Sequence, residues 1–166
     1  MWGVALLNGL LGGQLNALGI RPRTATGLLG ILLSPFIHAG IDHVLVNTIP
    51  FVVLGGLVIM LHGSRAFIET SLLIILLSGI GLWVMGRPAH YVGASGLIFG
   101  YFGFLVARGW YERSLGSVLV AVLTIVLYGS MLWGVLPTHP HISWAGHLLG
   151  LLAGVLAARL RVGEAD

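Results

Sequence analysis

Apolar runs recur along the whole chain, and their lengths constrain the fold more than any other feature of the sequence. Charged residues make up 8% of the 166 residues, against about a quarter in soluble domains, and the mean hydropathy is +1.02. Runs that approach about 20 apolar residues have the length of helices that cross a bilayer. The sequence therefore predicts an all-α, polytopic membrane protein in which residues 1–166 form a single helical bundle without a soluble domain.

Turn and charge signals divide the chain into six predicted transmembrane spans. These spans cover residues 2–18, 36–61, 66–86, 94–108, 115–136 and 142–160. The first span is short and contains Asn8, Gln14 and Asn16, which leaves open whether the N-terminus of the sequence is complete.

The placement of arginines predicts the orientation of the bundle, because cytoplasmic loops are enriched in basic residues. Loops 2–3 and 4–5 and the C-terminal segment hold more arginines than the other loops do. The first group of segments holds Arg65, Arg108, Arg113, Arg159 and Arg161, and the other loops hold Arg21, Arg23 and Arg87. Both termini are therefore predicted to be cytoplasmic, in what we expect to be a prokaryotic plasma membrane, and the second, fourth and sixth helices begin at the outer face.

Four unusual polar residues are predicted to meet at that outer face. His43 and Asn47 lie early in the second helix, Ser95 opens the fourth helix, and His147 lies early in the sixth. Three separate segments thus place chemically capable groups at one depth and on one side of the membrane.

The fourth span is predicted to be unusually short. Residues 94–108 would form a helix about 22 Å long, whereas the hydrocarbon core is about 30 Å thick. If Arg108 anchors the inner end of this helix, Ser95 begins below the outer surface. Residues 89–93 are then a loop that dips into the membrane, shielded by protein or lining a wet cavity.

Glycine spacing predicts that the fourth and sixth helices touch. The two sets that fall on one helical face are Gly96, Gly100 and Gly103, and His147, Gly150 and Gly154. Small residues allow membrane helices to approach closely, so facing stripes would bring His147 beside Ser95. The alternative is that both stripes are ordinary packing motifs.

Ser95 and His147 together have the chemistry of acyl transfer. A neutral imidazole can take the proton of a serine hydroxyl and return it to a leaving amine. No carboxylate is positioned for a triad, so a dyad is predicted. His43 and Asn47 share one helical face and could stabilise an oxyanion together with the Ser95 N–H, although Asn47 could instead form a helix–helix hydrogen bond. His38 points about 140° away on a regular helix and is interpreted as a structural residue at its start.

The seven histidines do not predict a metal site. There is no H-E-x-x-H motif and no cysteine, and the two histidines of the second span have the wrong spacing for one helical face. We interpret His62 and His90 as interfacial, and His139 and His141 as exposed in a proline-rich loop. No cofactor is predicted, and the scattered arginines form no nucleic-acid patch.

These residues resemble the rhomboid family of intramembrane serine proteases. The pattern consists of His38-x-x-x-x-His43-x-x-x-Asn47, Gly93-x-Ser95-Gly96 and His147-x-x-Gly150-x-x-x-Gly154, and it covers residues from about 36 to 160. The resemblance implies a six-helix core with Ser95 as nucleophile and His147 as general base and acid. It also implies that His43 and Asn47 bind the oxyanion.

The sequence departs from the family pattern at three places. Many members carry a Trp-Arg pair in a long first loop, where this chain has Leu29 and Gly30. Gly146 replaces a common alanine before the histidine, and Phe99 replaces a tyrosine that often packs on it. The conformation of the first loop therefore stays open.

The sequence predicts a serine endopeptidase that hydrolyses peptide bonds in or near transmembrane segments of membrane-protein substrates. Its site is expected to open to the outer face, since water must reach Ser95. One alternative is a catalytically silent rhomboid-like protein that binds membrane helices. Another is a small transporter, whose ionisable residues would be expected to cross the bilayer rather than cluster at one end. Substrate identity and oligomeric state are not predicted.

Overall fold

The computed structural model describes residues 1–138 and 143–161, so the predictions for His139 and His141 lie outside the described residues. These residues contain six α-helices: α1 (Trp2–Leu10), α2 (Ala25–Leu33), α3 (Ile41–Met85), α4 (Ser95–Glu112), α5 (Leu115–Tyr128) and α6 (Trp144–Arg161). Short 3-10 helices cover Gln14–Leu18, Ser34–Phe36 and Gly129–Val135. The predicted all-α class is confirmed, since the described residues contain no sheet beyond one isolated bridge between Ile20 and Tyr91.

Helix α3 contains two of the predicted spans. Its backbone breaks at Gly63, where φ is 81° and ψ is 165°. A Cβ atom at Gly55 would lie 3.3 Å from Cε2 of Phe67, whereas a straight helix would hold these residues about 18 Å apart. The chain therefore folds back at Gly63, and residues 41–62 and 64–85 pack as two neighbouring segments.

Helix α4 is the centre of the bundle and is buried on nearly every side. The predicted end of this helix at Arg108 is wrong, because α4 continues to Glu112 and has 18 residues. Arg108 is buried and forms an ion pair with Glu112 one turn further on. The helix can continue past this arginine because its charge is neutralised within the protein.

The predicted contact between α4 and α6 is present and is made by backbone atoms. A Cβ atom at Gly150 would collide with the carbonyl oxygen of Gly96, and one at Gly154 with that of Gly100. The contacts advance in step along both helices, so α4 and α6 run parallel and begin at the same end of the bundle.

The first predicted span is not a single helix. Helix α1 ends at Leu10, and Gly12 and Gly13 then take positive φ angles of 62° and 85°. The buried Asn8 side chain stabilises the break, since its Oδ1 accepts from the Leu15 N–H at 2.9 Å and its Nδ2 donates to Asn16 Oδ1 at 3.0 Å. Asn8 and Asn16 of the first predicted span therefore stabilise a local turn, and residues 2–18 do not form one continuous helix.

The predicted first loop contains a helix, α2. Thr24 caps it, because its hydroxyl accepts from the Gly27 N–H at 3.1 Å. Ile31 packs against Gly79 of α3, where a Cβ atom would lie 2.6 Å from Cγ2 of Ile31. The first loop is thus docked on residues 64–85 of α3.

The outer helices expose large apolar side chains, among them Leu10 of α1, Met60 of α3 and Val126 of α5. Within the described chain, Ile41–Met85 and Leu115–Val135 are long and apolar enough to cross a membrane. An apolar exterior around a packed interior is the pattern expected of a bundle surrounded by lipid.

The α4–α6 contact predicts the effect of adding one methyl group. Gly154→Ala should lower the free energy of unfolding by about 1–3 kcal/mol, because the methyl group overlaps the Gly100 carbonyl and forces the helices apart. Gly56→Ala in α3 is the matched control, since a Cβ atom there meets nothing within 4 Å. Thermal unfolding in detergent measures both, and equal shifts in Tm for the two variants would contradict the packing argument.

Candidate active site

Ser95 is presented by a turn that only glycine fits. Gly93 has φ of 113°, and a Cβ atom there would lie 2.6 Å from Cε1 of the His43 ring. The Gly93 N–H donates to the Ser34 carbonyl oxygen at 2.9 Å, which fixes the turn from the side of the first loop. Ala94 is then the N-cap of α4, and Ser95 is the first helical residue.

The structure brings Ser95 and His147 into hydrogen-bonding contact. Nε2 of His147 lies 2.9 Å from Oγ of Ser95, and both residues are half-buried. The two side chains come from the first turns of α4 and α6, so their separation follows from the close approach of these helices at Gly96 and Gly150.

A backbone carbonyl determines which nitrogen of His147 carries the proton. Nδ1 lies 2.9 Å from the carbonyl oxygen of Gly134 in the 3-10 helix Gly129–Val135. A carbonyl can only accept, so Nδ1 is the protonated nitrogen of the neutral ring. Nε2 therefore accepts from the Ser95 hydroxyl, as a general base must.

Packing holds the imidazole in this orientation. The ring of Phe99 stacks on that of His147, with centroids 4.2 Å apart and planes inclined by 11°. Ser143 caps the start of α6, because its hydroxyl accepts from the Gly146 N–H at 3.2 Å. A Cβ atom at Gly146 would lie 2.8 Å from that hydroxyl, which explains why glycine suits this chain before the histidine.

His43 and Asn47 face the same cavity as the dyad. Nδ1 of His43 accepts from the Ala39 N–H at 3.4 Å, so Nε2 carries the proton of the neutral ring and lies close to Gly93. Nδ2 of Asn47 donates to the His43 carbonyl at 2.7 Å within its own helix, and its second amide hydrogen is left for another acceptor. The hydrogen bond that the Asn47 amide donates is thus intrahelical and does not link α3 to a neighbouring helix.

His38 lies beside His43 rather than on an opposite helical face. Helix α3 begins only at Ile41, so the rotation expected for a regular helix does not apply. The His38 ring is 1% exposed and meets the His43 ring edge-on, with centroids 5.1 Å apart. Its carbonyl accepts from Nδ2 of Asn8 at 3.0 Å, which ties it to α1.

These side chains share one large open cavity. It has a volume of about 1120 Å³ and is bounded by the start of α3, residues 85–92 and the start of α6. Ser95, His147, His43 and Asn47 all line it. The N-terminus of α4 also points its free N–H groups and positive dipole end towards this region, which suits a developing oxyanion.

Sequence reasoning missed Gly134 and Ser34, which act through their backbone carbonyls. Such an acceptor leaves no signature of residue type. At Gly134 a partial signal exists, since a Cβ atom there would approach both His147 Nδ1 and Phe99 Cζ to 3.1 Å. Among residues 1–138 and 143–161, no group of three or more potential metal ligands is found.

Comparison with known proteins gives the following matches. A sequence model described as Rhomboid domain matches residues 25–164. An uncharacterized protein of Mycobacterium tuberculosis is 38% identical over 166 residues, which represent 95% of this chain and 69% of that protein. Rhomboid protease GluP of Bacillus subtilis is 31% identical over 134 residues, 76% of this chain and 25% of that protein. RHOMBOID-like protein 1 of Arabidopsis thaliana is 29% identical over 130 residues, 73% of this chain and 31% of that protein.

Because the Asn47 amide bonds within its own helix, its effect on turnover can be measured apart from its effect on stability. If the free amide hydrogen serves an oxyanion, Asn47→Ala should lower kcat by about 10²–10³-fold, with a smaller loss if His43 compensates, and leave Tm nearly unchanged. His43→Ala should show the same kinetic pattern. Turnover of a transmembrane substrate and Tm are measured on one preparation.

Thr48→Ala is the matched control for Asn47→Ala. Thr48 also donates to the carbonyl four residues back, at 2.6 Å, but it is not a lining residue of the cavity and accepts from Trp2 of α1 at 3.1 Å. This variant should lose stability and keep its kcat. An Asn47→Ala protein with lowered Tm and unchanged kcat would remove Asn47 from the site.

Proposed function

The chain belongs to the rhomboid family, and on that premise we propose that it is an intramembrane serine endopeptidase. The observation that carries the proposal is the 2.9 Å contact between Ser95 Oγ and His147 Nε2, with Nδ1 held by the Gly134 carbonyl. Its substrates are membrane proteins, cleaved in or near their transmembrane segments.

The dyad performs acyl transfer in two halves. Ser95 Oγ attacks the scissile carbonyl carbon while its proton moves to Nε2 of His147. The imidazolium that forms is stabilised by its Nδ1–H bond to Gly134 and by stacking on Phe99. Nε2 then gives the proton to the leaving amine, the peptide bond breaks, and the substrate acyl group is left as an ester on Ser95.

Water completes the reaction by the reverse route. It enters through the open cavity, loses a proton to Nε2 and attacks the ester, and the same proton returns to Ser95 Oγ as the acid product leaves. In both halves the carbonyl oxygen becomes negative beside the N-terminus of α4. The Ser95 N–H, the His43 ring N–H and the Asn47 amide are proposed donors to it.

A substrate helix must unwind before this chemistry can occur, because helical hydrogen bonds shield its carbonyl groups. We expect small and helix-weakening residues near the scissile bond, and the helix-weakening ones reduce the cost of unwinding. The cavity volume of about 1120 Å³ exceeds what a single side chain would fill. We place both termini in the cytoplasm and the opening of the cavity at the outer face of a prokaryotic plasma membrane.

Removal of either member of the dyad tests the proposed protease. Ser95→Ala should abolish both cleavage of a transmembrane substrate in liposomes and labelling by a fluorophosphonate. His147→Ala should lower both by about 10²–10⁴-fold, the contribution typical of a general base. Ser117→Ala, near the start of α5 and outside the cavity, is the matched serine control and should be labelled normally. A folded Ser95→Ala protein with near-normal turnover would exclude the mechanism.

Orientation is tested independently of chemistry. Reporter tags at the C-terminus and at Gly63 should report the cytoplasm, and tags inserted after Pro22 and at Pro137 should report the opposite side, because of the arginine bias. The measurement is accessibility of each tag to a membrane-impermeant reagent in intact cells. A C-terminal tag on the outer side would reverse the proposed face of the cavity without affecting the dyad.

A further inference from the structure

Arg87 contributes a positive charge to the wall of the active-site cavity. Among the described residues that line the cavity, it is the only Asp, Glu, Lys or Arg, and it is exposed. The remaining lining groups are apolar, hydroxyl, amide or imidazole groups. Residues 139–142 contain no acid in the sequence. Among the described residues, the cavity therefore offers one permanent positive charge and no negative one.

The few acidic side chains of the described chain do not neutralise this charge. Glu69 pairs with Arg65 and Arg161, and these contacts lie after the turn at Gly63 and at the C-terminal end of α6. Glu112 is engaged at the C-terminal end of α4, away from Ser95. Asp42 is not among the residues that line the cavity. No ion-pair partner of Arg87 occurs within residues 1–138 and 143–161.

The backbone that carries Arg87 is held on both sides. The Arg87 N–H donates to the Tyr91 hydroxyl at 2.9 Å, and that hydroxyl also donates to the Arg87 carbonyl at 3.3 Å. Tyr91 is paired with Ile20 by two backbone bonds of 2.9 Å, and the carbonyl of Gly86 accepts from Arg23. Arg87 thus projects from a fixed segment, which reduces the entropy lost when its guanidinium binds a partner.

We propose that Arg87 is a specificity-determining residue that selects membrane-protein substrates with an aspartate or glutamate flanking the scissile bond. This inference rests on the proposed protease function and names a feature of its substrates. A guanidinium binds a carboxylate by paired, charge-assisted hydrogen bonds, and Arg87 lines the same cavity as Ser95, which a substrate segment must enter to reach the nucleophile.

The expected preference is modest and depends on salt. For an Arg–carboxylate pair that is open to water, one substrate carboxylate should raise kcat/KM about two- to fivefold over the matching amide. An arginine at the same substrate position should lower it. Both effects should shrink as ionic strength is raised, because the charges are solvent-exposed.

The test is a charge swap between enzyme and substrate. A single transmembrane substrate is made with glutamate, glutamine or arginine at each flanking position in turn, and kcat/KM is measured in phosphatidylcholine liposomes. Wild-type protein should prefer glutamate at one or more positions. Arg87→Gln should lose the preference at those positions, and Arg87→Glu should prefer the arginine substrate there.

Arg21→Gln is the matched control, because Arg21 is also exposed in the first loop but does not line the cavity. It should keep the wild-type preference. Fluorophosphonate labelling of Ser95 and the Tm of each variant establish that the site is folded, and Arg87→Gln alone decides the matter if Arg87→Glu does not fold.

Two results would overturn the inference and leave the proposed function standing. One is Ser95-dependent cleavage with no preference for charge. The other is a loss of rate in Arg87→Gln that is equal for all three substrates, which would indicate a role for Arg87 in contacts with lipid or in topology. If wild-type protein cleaves no substrate and Ser95 is not labelled, the proposed function fails first and the inference falls with it.

Discussion

The rest of the structure depends on the backbone contact between α4 and α6. Helices that carry side chains at their interface pack about 8–10 Å apart, whereas here the carbonyl oxygens of Gly96 and Gly100 occupy the space of the missing side chains of Gly150 and Gly154. Because the helices are parallel and touch from their first turns, a serine that opens α4 and a histidine in the first turn of α6 can meet at 2.9 Å. The same contact buries α4 at the centre of the bundle, so packing energy and the geometry of the dyad have one origin.

The Gly134 carbonyl, which accepts from Nδ1 of His147, suits a half-buried site within an apolar bundle. A carboxylate in this position would have to be taken out of water, at a cost that only well-formed partners offset. The Gly134 carbonyl fixes the same tautomer without a net charge, since it accepts from Nδ1 at 2.9 Å. It stabilises the imidazolium less than an anion would. Stacking on Phe99 supplies the remaining orientation, while the positive N-terminal end of α4 favours the developing oxyanion rather than the imidazolium.

Residue types predicted most of what side chains do here, and little of what backbone atoms do. The all-α class, the glycine contact and the meeting of Ser95 with His147 followed from composition, spacing and resemblance, because each has a signature in residue identity. The roles of Gly134 and Ser34 did not follow, since any residue carries a carbonyl. The predicted end of α4 is wrong for another reason: it rests on Arg108 as a membrane anchor, although Arg108 and Glu112 have the i, i+4 spacing of a helical ion pair.

The first loop shows how a missing motif can be replaced by contacts that no local pattern reveals. Nη1 of Arg23 donates to the carbonyls of Val84 and Gly86, which would otherwise be unsatisfied at the end of α3. In return, Nε1 of Trp83 donates to the Thr24 carbonyl at 2.9 Å. A tryptophan and an arginine from different segments thus dock the first loop onto α3, in a chain that lacks the adjacent Trp-Arg pair implied by the resemblance. The docked loop also supplies the Ser34 carbonyl, which accepts from Gly93 and holds the turn before Ser95. The attachment of the first loop therefore helps to position the dyad.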